Sequence, residues 1–388
     1  MTDIIDLTSS SYRLNAPGFL TSEEMRNAGY KPNNALRDQR TALLWIQKYI
    51  SGFGGDPTNV TLIGESAGAV SVSYHLCSKE TLFRRCMLMS GSNLLMPPAP
   101  LTLAESIYKT AMKALDLESA SAAERIQALN SVDGQKLCEK MLFGGIPMLP
   151  VVDDDIITAT PKYSNLSLHA PSWCEAVIIG DCQFDGNIQS LRLGSKKAGI
   201  AKAFHNSITT SLGDSLSSKL LQAYSISPDL PDDEGFFRVL QFVTDVQFYS
   251  PTLTYAESLA EKMKTYMYRF NEPNPWEGPW KGHAIHIQDL MWLFQNLNEF
   301  MDGPQQAQAK AFAEGVLDFA NGKDAWRPWK SEDRVAMVMG PEGKVELVRD
   351  EPSVNGRRAI IHELAKETGG MDVLSDALNA FMRAPSPS

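Results

Sequence analysis

Hydrophobic and polar positions along this chain follow two alternating rhythms. Short apolar runs at Asn59–Ile63, Arg85–Met89, Glu175–Gly180 and Thr265–Phe270 predict strands, and the β-branched run Val177-Ile178-Ile179, ended by Gly180, predicts a buried one. Between them, apolar residues recur at helical spacing: Leu36, Leu43, Ile46 and Ile50, then a Leu212, Leu216, Leu220 stripe and a Phe236, Leu240, Val243 stripe. The region from 205 to 263 reads as mostly helical, Gln305–Phe319 as another helix, and Gly343–Val348 as a late strand. Thr102-Leu103-Ala104-Glu105 and Ser121-Ala122-Ala123-Glu124 read as capping boxes that open helices. The pattern is α/β throughout, with no repeat and no linker, so one domain over residues 1–388 is expected, with a frayed tail at 384–388.

Gly64-Glu65-Ser66-Ala67-Gly68 stands between the Asn59–Ile63 run and the helix-like Ala69–Tyr74. This is G-x-S-x-G at a strand-to-helix turn, the context in which the motif presents a nucleophile. A sharp turn of this kind strains the backbone at Ser66, and a Cβ on either flank is expected to clash. It leaves the N–H of Ala67 free at a helix N-terminus, where developing negative charge is favoured. A serine needs a base, and the base needs a carboxylate to orient it. Asp181 and Asp185 both follow the Glu175–Gly180 strand. Of the six histidines, His75 lies on the helix behind the elbow, and His169, His205 and His362 have no motif around them. His283 and His286 lie on a loop after the Thr265–Phe270 strand; as His-x-x-His they are also a fragment of a metal site, a weak one without further ligands.

The residues around the elbow resemble one family. Asn34-Ala35-Leu36-Arg37-Asp38-Gln39-Arg40, the run Phe53-Gly54-Gly55-Asp56-Pro57 with Asn59-Val60-Thr61, the Gly64–Gly68 elbow and Ser90-Gly91-Ser92 are together similar to the type-B carboxylesterase/lipase family. Pro150-Val151-Val152-Asp153, Tyr266–Phe270 and Phe319-Ala320-Asn321-Gly322 extend the resemblance over about residues 10–360. It implies the α/β-hydrolase fold, a mostly parallel central sheet flanked by helices, and a Ser-acid-His triad. The family's acid precedes a glycine five positions after the strand glycine, which Asp185-Gly186 matches, with Asp where Glu is usual; Asp181 is the competing carboxylate. The family's histidine is followed three residues later by an acid and then an aliphatic residue, which selects His286 through Asp289-Leu290. Ser66, His286 and Asp185 are therefore the expected catalytic residues, with Gly64, Ala67 and Gly68 forming the elbow and oxyanion side and Glu65 and Ser90 supporting it. Glu65 reads equally well as the partner of a buried arginine.

Composition narrows the class. A net charge of −10 argues against nucleic acid and anionic membrane surfaces as partners. No apolar run approaches the roughly 18 residues of a membrane span, and Met1–Asp6 has no signal-peptide pattern. Five cysteines without paired spacing favour a reducing, cytoplasmic setting, with Cys77 and Cys86 the pair that would bridge. No cofactor and no metal are expected, and the expected ligand is a small-molecule ester; the oligomeric state stays open.

No His-Gly-Gly occurs, although this family builds part of its oxyanion hole from such a loop upstream of the elbow. The resemblance begins past that loop, so the expectation is an N-terminally truncated form, weakly active and poorly soluble. Two classes of function follow. One is a serine esterase, with a tailoring esterase of secondary metabolism as the narrower form of that class. The other is a truncated or non-catalytic relative with a binding or interaction role. Phe184, Trp276, Trp280, Trp292 and Phe294 are candidates for a pocket wall, or plain core.

Overall fold

A computed structural model describes residues 5–169, 171–349 and 357–384. Among them lies a six-stranded sheet in chain order: β1 (Thr61–Glu65), β2 (Arg85–Met89), β3 (Ala176–Cys182), β4 (Lys264–Phe270), β5 (Val335–Met339) and β6 (Val345–Arg349). Strands β1 to β5 run parallel, and β6 returns antiparallel to β5. Parallel strands are buried on both faces, which explains the unbroken apolar runs of β2 and β3. The period of two still sorts their side chains. Cys86, Leu88, Val177, Ile179 and Met267 enter one core, and Met87, Met89, Ile178, Tyr266 and Tyr268 the other. The first core is closed by helices Ala67–Leu76 and Ser250–Leu259 through Val72 and Leu253, the second by Gln288–Phe294 and Gly303–Ala320 through Trp292, Phe312 and Phe319.

A third apolar cluster, with Ala16, Leu20, Tyr108, Ala111, Leu137 and Met141, joins helices Asn15–Phe19, Leu101–Ala114 and Gly134–Phe143 away from the sheet. Ser121 and Glu124 form the expected capping box. Thr102 does not cap: its helix begins at Leu101 after Pro100, whose ring already fixes the entry angle, so Thr102 falls inside the first turn. The Leu212–Leu216–Leu220 stripe also divides, because Gly213 at φ +77° breaks it into helices Ile200–Leu212 and Asp214–Ala223. Beyond β6 come Arg357–Thr368 and Met371–Arg383, and the second of these seats Phe381 edge-on against Phe204 at 5.1 Å. The expected frayed tail lies, past Ala384, outside the described residues. All five cysteines are free, Cys77 and Cys86 included.

Candidate active site

The carboxyl ends of β1, β3 and β4 converge on one point, the edge where ligands gather in open α/β sheets. After β1 the chain turns at Ser66 with φ 54° and ψ −118°, then enters helix Ala67–Leu76. A non-glycine residue holds such angles only when its surroundings force them. Here the Ser66 N–H donates to the Met89 carbonyl at 2.9 Å, fastening the turn to the end of β2. Gly64 is required because a Cβ there would sit 2.4 Å from the Gly68 carbonyl. The expected clash at the other flank is absent: a Cβ on Gly68 meets nothing within 4 Å. The elbow is therefore tight on one side only. Ser66 caps the helix with no side-chain bond, so its hydroxyl is free to act elsewhere and the first N–H groups, Ala67 among them, face outward without helical partners.

Asp185 follows β3 and is fully buried. Its Oδ2 accepts the Cys182 N–H at 2.8 Å, and its Oδ1 faces His286 Nδ1 at 2.7 Å. The glycine after it is needed for approach: a Cβ at Gly186 would lie 2.2 Å from the Leu240 carbonyl, and the Gly186 N–H donates to Thr244 Oγ1 at 2.9 Å. The loops carrying acid and base are joined by a one-rung parallel bridge between Phe184 and Ile285, and the Asn187 side chain accepts the His286 N–H at 2.9 Å. Ile287, at φ 74°, then turns the chain into the next helix. His286 Nε2 stands 2.8 Å from Ser66 Oγ. With the acid accepting from Nδ1–H, Nε2 is left as the acceptor for the serine hydroxyl.

Asp181 belongs elsewhere. It lies inside β3 rather than on the loop after it, and pairs with Arg269 and with Arg358 Nη2, the latter at 3.0 Å. Among the other histidines, His75 Nε2 contacts Gln39 Oε1 at 3.0 Å, and burial pushes its pKa down to about 4. His283 turns from the centre and packs on Phe184 and Phe237 at 5.3 and 5.1 Å. Among the described residues no group of three or more metal-binding side chains is assembled.

The family profile described as "Carboxylesterase family" matches residues 3–330. The chain belongs to the carboxylesterase family. It is 31% identical over 315 residues to human bile salt-activated lipase, covering 73% of this chain and 40% of that protein. It is 26% identical to the para-nitrobenzyl esterase of Bacillus subtilis, over 74% of this chain and 57% of the relative. The chain thus spans well under two thirds of the length of these relatives. Among solved structures, the carboxylesterase of Geobacillus stearothermophilus superposes with a TM-score of 0.71 at 25% identity, covering 90% of this chain and 74% of the other. The α/β-hydrolase fold expected from the sequence is the fold found.

In this carboxylesterase-family chain the electrostatics around the histidine are set by three acids. Burial alone would lower the His286 pKa, but the hydrogen bond and charge of Asp185 outweigh it and leave it raised. Burial pushes Glu65 up to about 8, with its Oε1 3.3 Å from His286 Nε2. Asp185 gives the larger lift to the histidine, and the charges of Glu65 and Asp289 add to it. The neighbour of Glu65 is the histidine and not the buried arginine that the sequence left open. Asp289, also buried, is raised to about 6, and its Oδ2 accepts the Tyr268 hydroxyl at 2.6 Å. The Ser90 Oγ lies 3.8 Å from Sγ of Cys182, the residue whose N–H donates to Asp185. Asn187, Tyr268 and Phe248 also shape the site. Phe248 packs edge-on against His286 at 5.3 Å. Sequence reading missed all three as site residues, since each meets the centre through a long-range contact without a local motif. The aromatic candidates divide: Phe184 and Trp292 are core, Trp276 and Trp280 are partly buried against it, and Phe294 is exposed.

No helix among the described residues is long and apolar enough to cross a membrane.

Proposed function

We propose that this chain hydrolyses carboxylic esters of small molecules through an acyl-enzyme on Ser66. His286 Nε2 takes the hydroxyl proton as Ser66 Oγ bonds to the ester carbonyl carbon, and the carbonyl electron pair moves onto oxygen beside the Ala67 N–H. The tetrahedral species collapses, the bond to the alcohol oxygen breaks, and Nε2 returns the proton to that oxygen. Water then adds to the acyl carbon as Nε2 takes its proton; the second tetrahedral species collapses, the bond from carbon to Ser66 Oγ breaks, and Nε2 returns the proton to Oγ as the acid leaves. Asp185 keeps Nδ1 protonated and steadies the imidazolium. The observation that carries this reading is the continuous pair of contacts, 2.8 Å from Ser66 Oγ to Nε2 and 2.7 Å from Nδ1 to Asp185. Family membership and the names of the relatives, a lipase and a para-nitrobenzyl esterase, support esters as the substrate class.

The test is steady-state hydrolysis of a short-chain p-nitrophenyl ester by the wild type and by Ser66→Ala, purified in parallel. The expected result is turnover in the wild type alone. Equal residual rates in both proteins contradict the proposal and leave the non-catalytic reading.

A further inference from the structure

Helix Asp232–Thr244 and helix Ser250–Leu259 are one rod interrupted by a π-helical turn, Asp245–Tyr249. Such wide turns are rare and gather at functional sites. This one is fastened from every side. The Val246 carbonyl accepts the Tyr163 hydroxyl at 2.6 Å. Asp245 takes the Tyr224 hydroxyl at 2.9 Å and lies 3.6 Å from Arg358 Nε. The Tyr249 ring is held between two guanidinium groups, Arg269 at 4.5 Å and Arg358 at 4.6 Å, which are the two that pair with Asp181.

The same turn faces the reacting centre. Gln247 Oε1 accepts from Gln189 Nε2 at 3.1 Å, on the short helical segment Asp185–Gln189 that begins with the acid. Phe248, fully buried, meets the His286 ring at 5.3 Å and 63°. The rod packs against the acid loop one turn earlier as well, through Thr244 and Gly186. The turn thus contacts the acid's segment and the base's ring from one rigid piece.

We propose that Phe248, presented by the π turn Asp245–Tyr249, is the positioning residue that sets the His286 imidazole between Ser66 and Asp185. The proposal rests on the serine-hydrolase reading above. An imidazole hydrogen-bonded at both nitrogens can still tilt about the line joining them, and the wall of Phe248 limits that tilt. Small misplacements of a base are costly, up to roughly 10²-fold for 1 Å. Arg358, past the residues matched by the family profile, locks the turn from helix Arg357–Thr368.

The test uses the whole chain and a fluorophosphonate probe, with labelling of Ser66 followed by mass spectrometry over a range of probe concentrations. It adds the downfield proton resonance of His286 Nδ1–H. Phe248→Leu keeps apolar volume without a ring. Its maximal labelling rate is expected to fall about tenfold with an unchanged half-saturating concentration, while the downfield signal broadens. Phe248→Tyr is expected to restore both. Wild-type rate and an intact signal in Phe248→Leu overturn the proposal. If Phe248→Leu does not fold, Tyr163→Phe frees the Val246 carbonyl and loosens the turn; a drop in maximal rate alone supports the proposal, and no change overturns it. His286→Gln separates the two readings. If it labels as fast as the wild type, or the wild type does not label at Ser66, the triad reading fails and the positioning role fails with it. If only Phe248→Leu behaves as wild type, the triad stands and the positioning role falls.

Discussion

Two aspartates four positions apart, Asp181 and Asp185, follow the same strand glycine and do opposite work. Asp185 Oδ1 faces the imidazole at 2.7 Å, whereas Asp181 is buried between Arg269 and Arg358. Asp185→Asn is expected to lower kcat by roughly 10⁴, as loss of a triad carboxylate does through the wrong tautomer, with the fold kept. Asp181→Asn is expected to act on stability, by about 3–5 kcal/mol for a buried pair broken on one side, read by denaturant unfolding with turnover per folded molecule retained. A pH profile adds a second check. The base must be neutral to act, and His286 titrates above its ordinary 6.5 because Asp185 outweighs burial, so the acid limb of kcat/KM is expected above pH 6.5. Glu65 works in the other direction on stability. Its folded pKa is raised from 4.5 to about 8, so its favourable contribution is complete below 4.5 and is lost as pH rises toward 8. Glu65→Gln mimics the neutral form: near-wild-type turnover at pH 7 and a flatter stability curve over that interval are expected. A large loss of kcat at pH 7 would show Glu65 acting as a charge. At this scale the meeting of Ser66, Asp185 and His286 was legible because each sits in a short motif. Asn187 and Phe248 were not, because what defines them is a contact: the Asn187 bond to His286 crosses 99 positions of sequence.

The elements that place these residues depend on two close approaches of backbone. Gly64 passes the Gly68 carbonyl and Gly186 passes the Leu240 carbonyl, each at a distance that leaves no room for a Cβ. Gly186→Ala is expected to push the acid loop off the Asp232–Thr244 helix, costing about 1–3 kcal/mol or more by overpacking and cutting kcat through a displaced Asp185. Unfolding and turnover of the one variant measure both, and an unchanged kcat would mean the loop adjusts freely. Strands β2 and β3 were legible from their apolar runs, since burial on both faces removes the polar positions that blur a pattern. The π turn left no trace in spacing. It arises from tertiary partners, Tyr163, Tyr224 and Arg358, and no local periodicity encodes one widened turn. Pro100 shows the same competition at a helix start, displacing Thr102 from the capping role its spacing promised.

Across the whole molecule, the sheet orders β1 to β6 along the chain, and Ser66, Asp185 and His286 lie past the carboxyl ends of β1, β3 and β4. The C-terminal helices close the first core: Leu374, Leu378 and Phe381 are buried there, and Arg358 reaches Asp181 and the π turn. Phe381→Ala is expected to cost about 3–5 kcal/mol, comparable to other large-to-small changes in a core, although the residue lies outside the span of the family profile. The apolar spacing Leu374, Leu378, Phe381 is present in the sequence, but it lies past the resemblance, and spacing alone does not say which core a helix closes.

In the proposed reaction Ser66 carries the acyl group while His286 moves the proton and Asp185 holds the histidine. Its most direct test is to quench the chain during turnover of p-nitrophenyl acetate and map the peptides by mass spectrometry. One acetyl group is expected on the peptide containing Ser66 in the wild type, rising with the first equivalent of released p-nitrophenol, and none in Ser66→Ala. Release of p-nitrophenol with no adduct on Ser66, or an adduct that persists in Ser66→Ala, would contradict it.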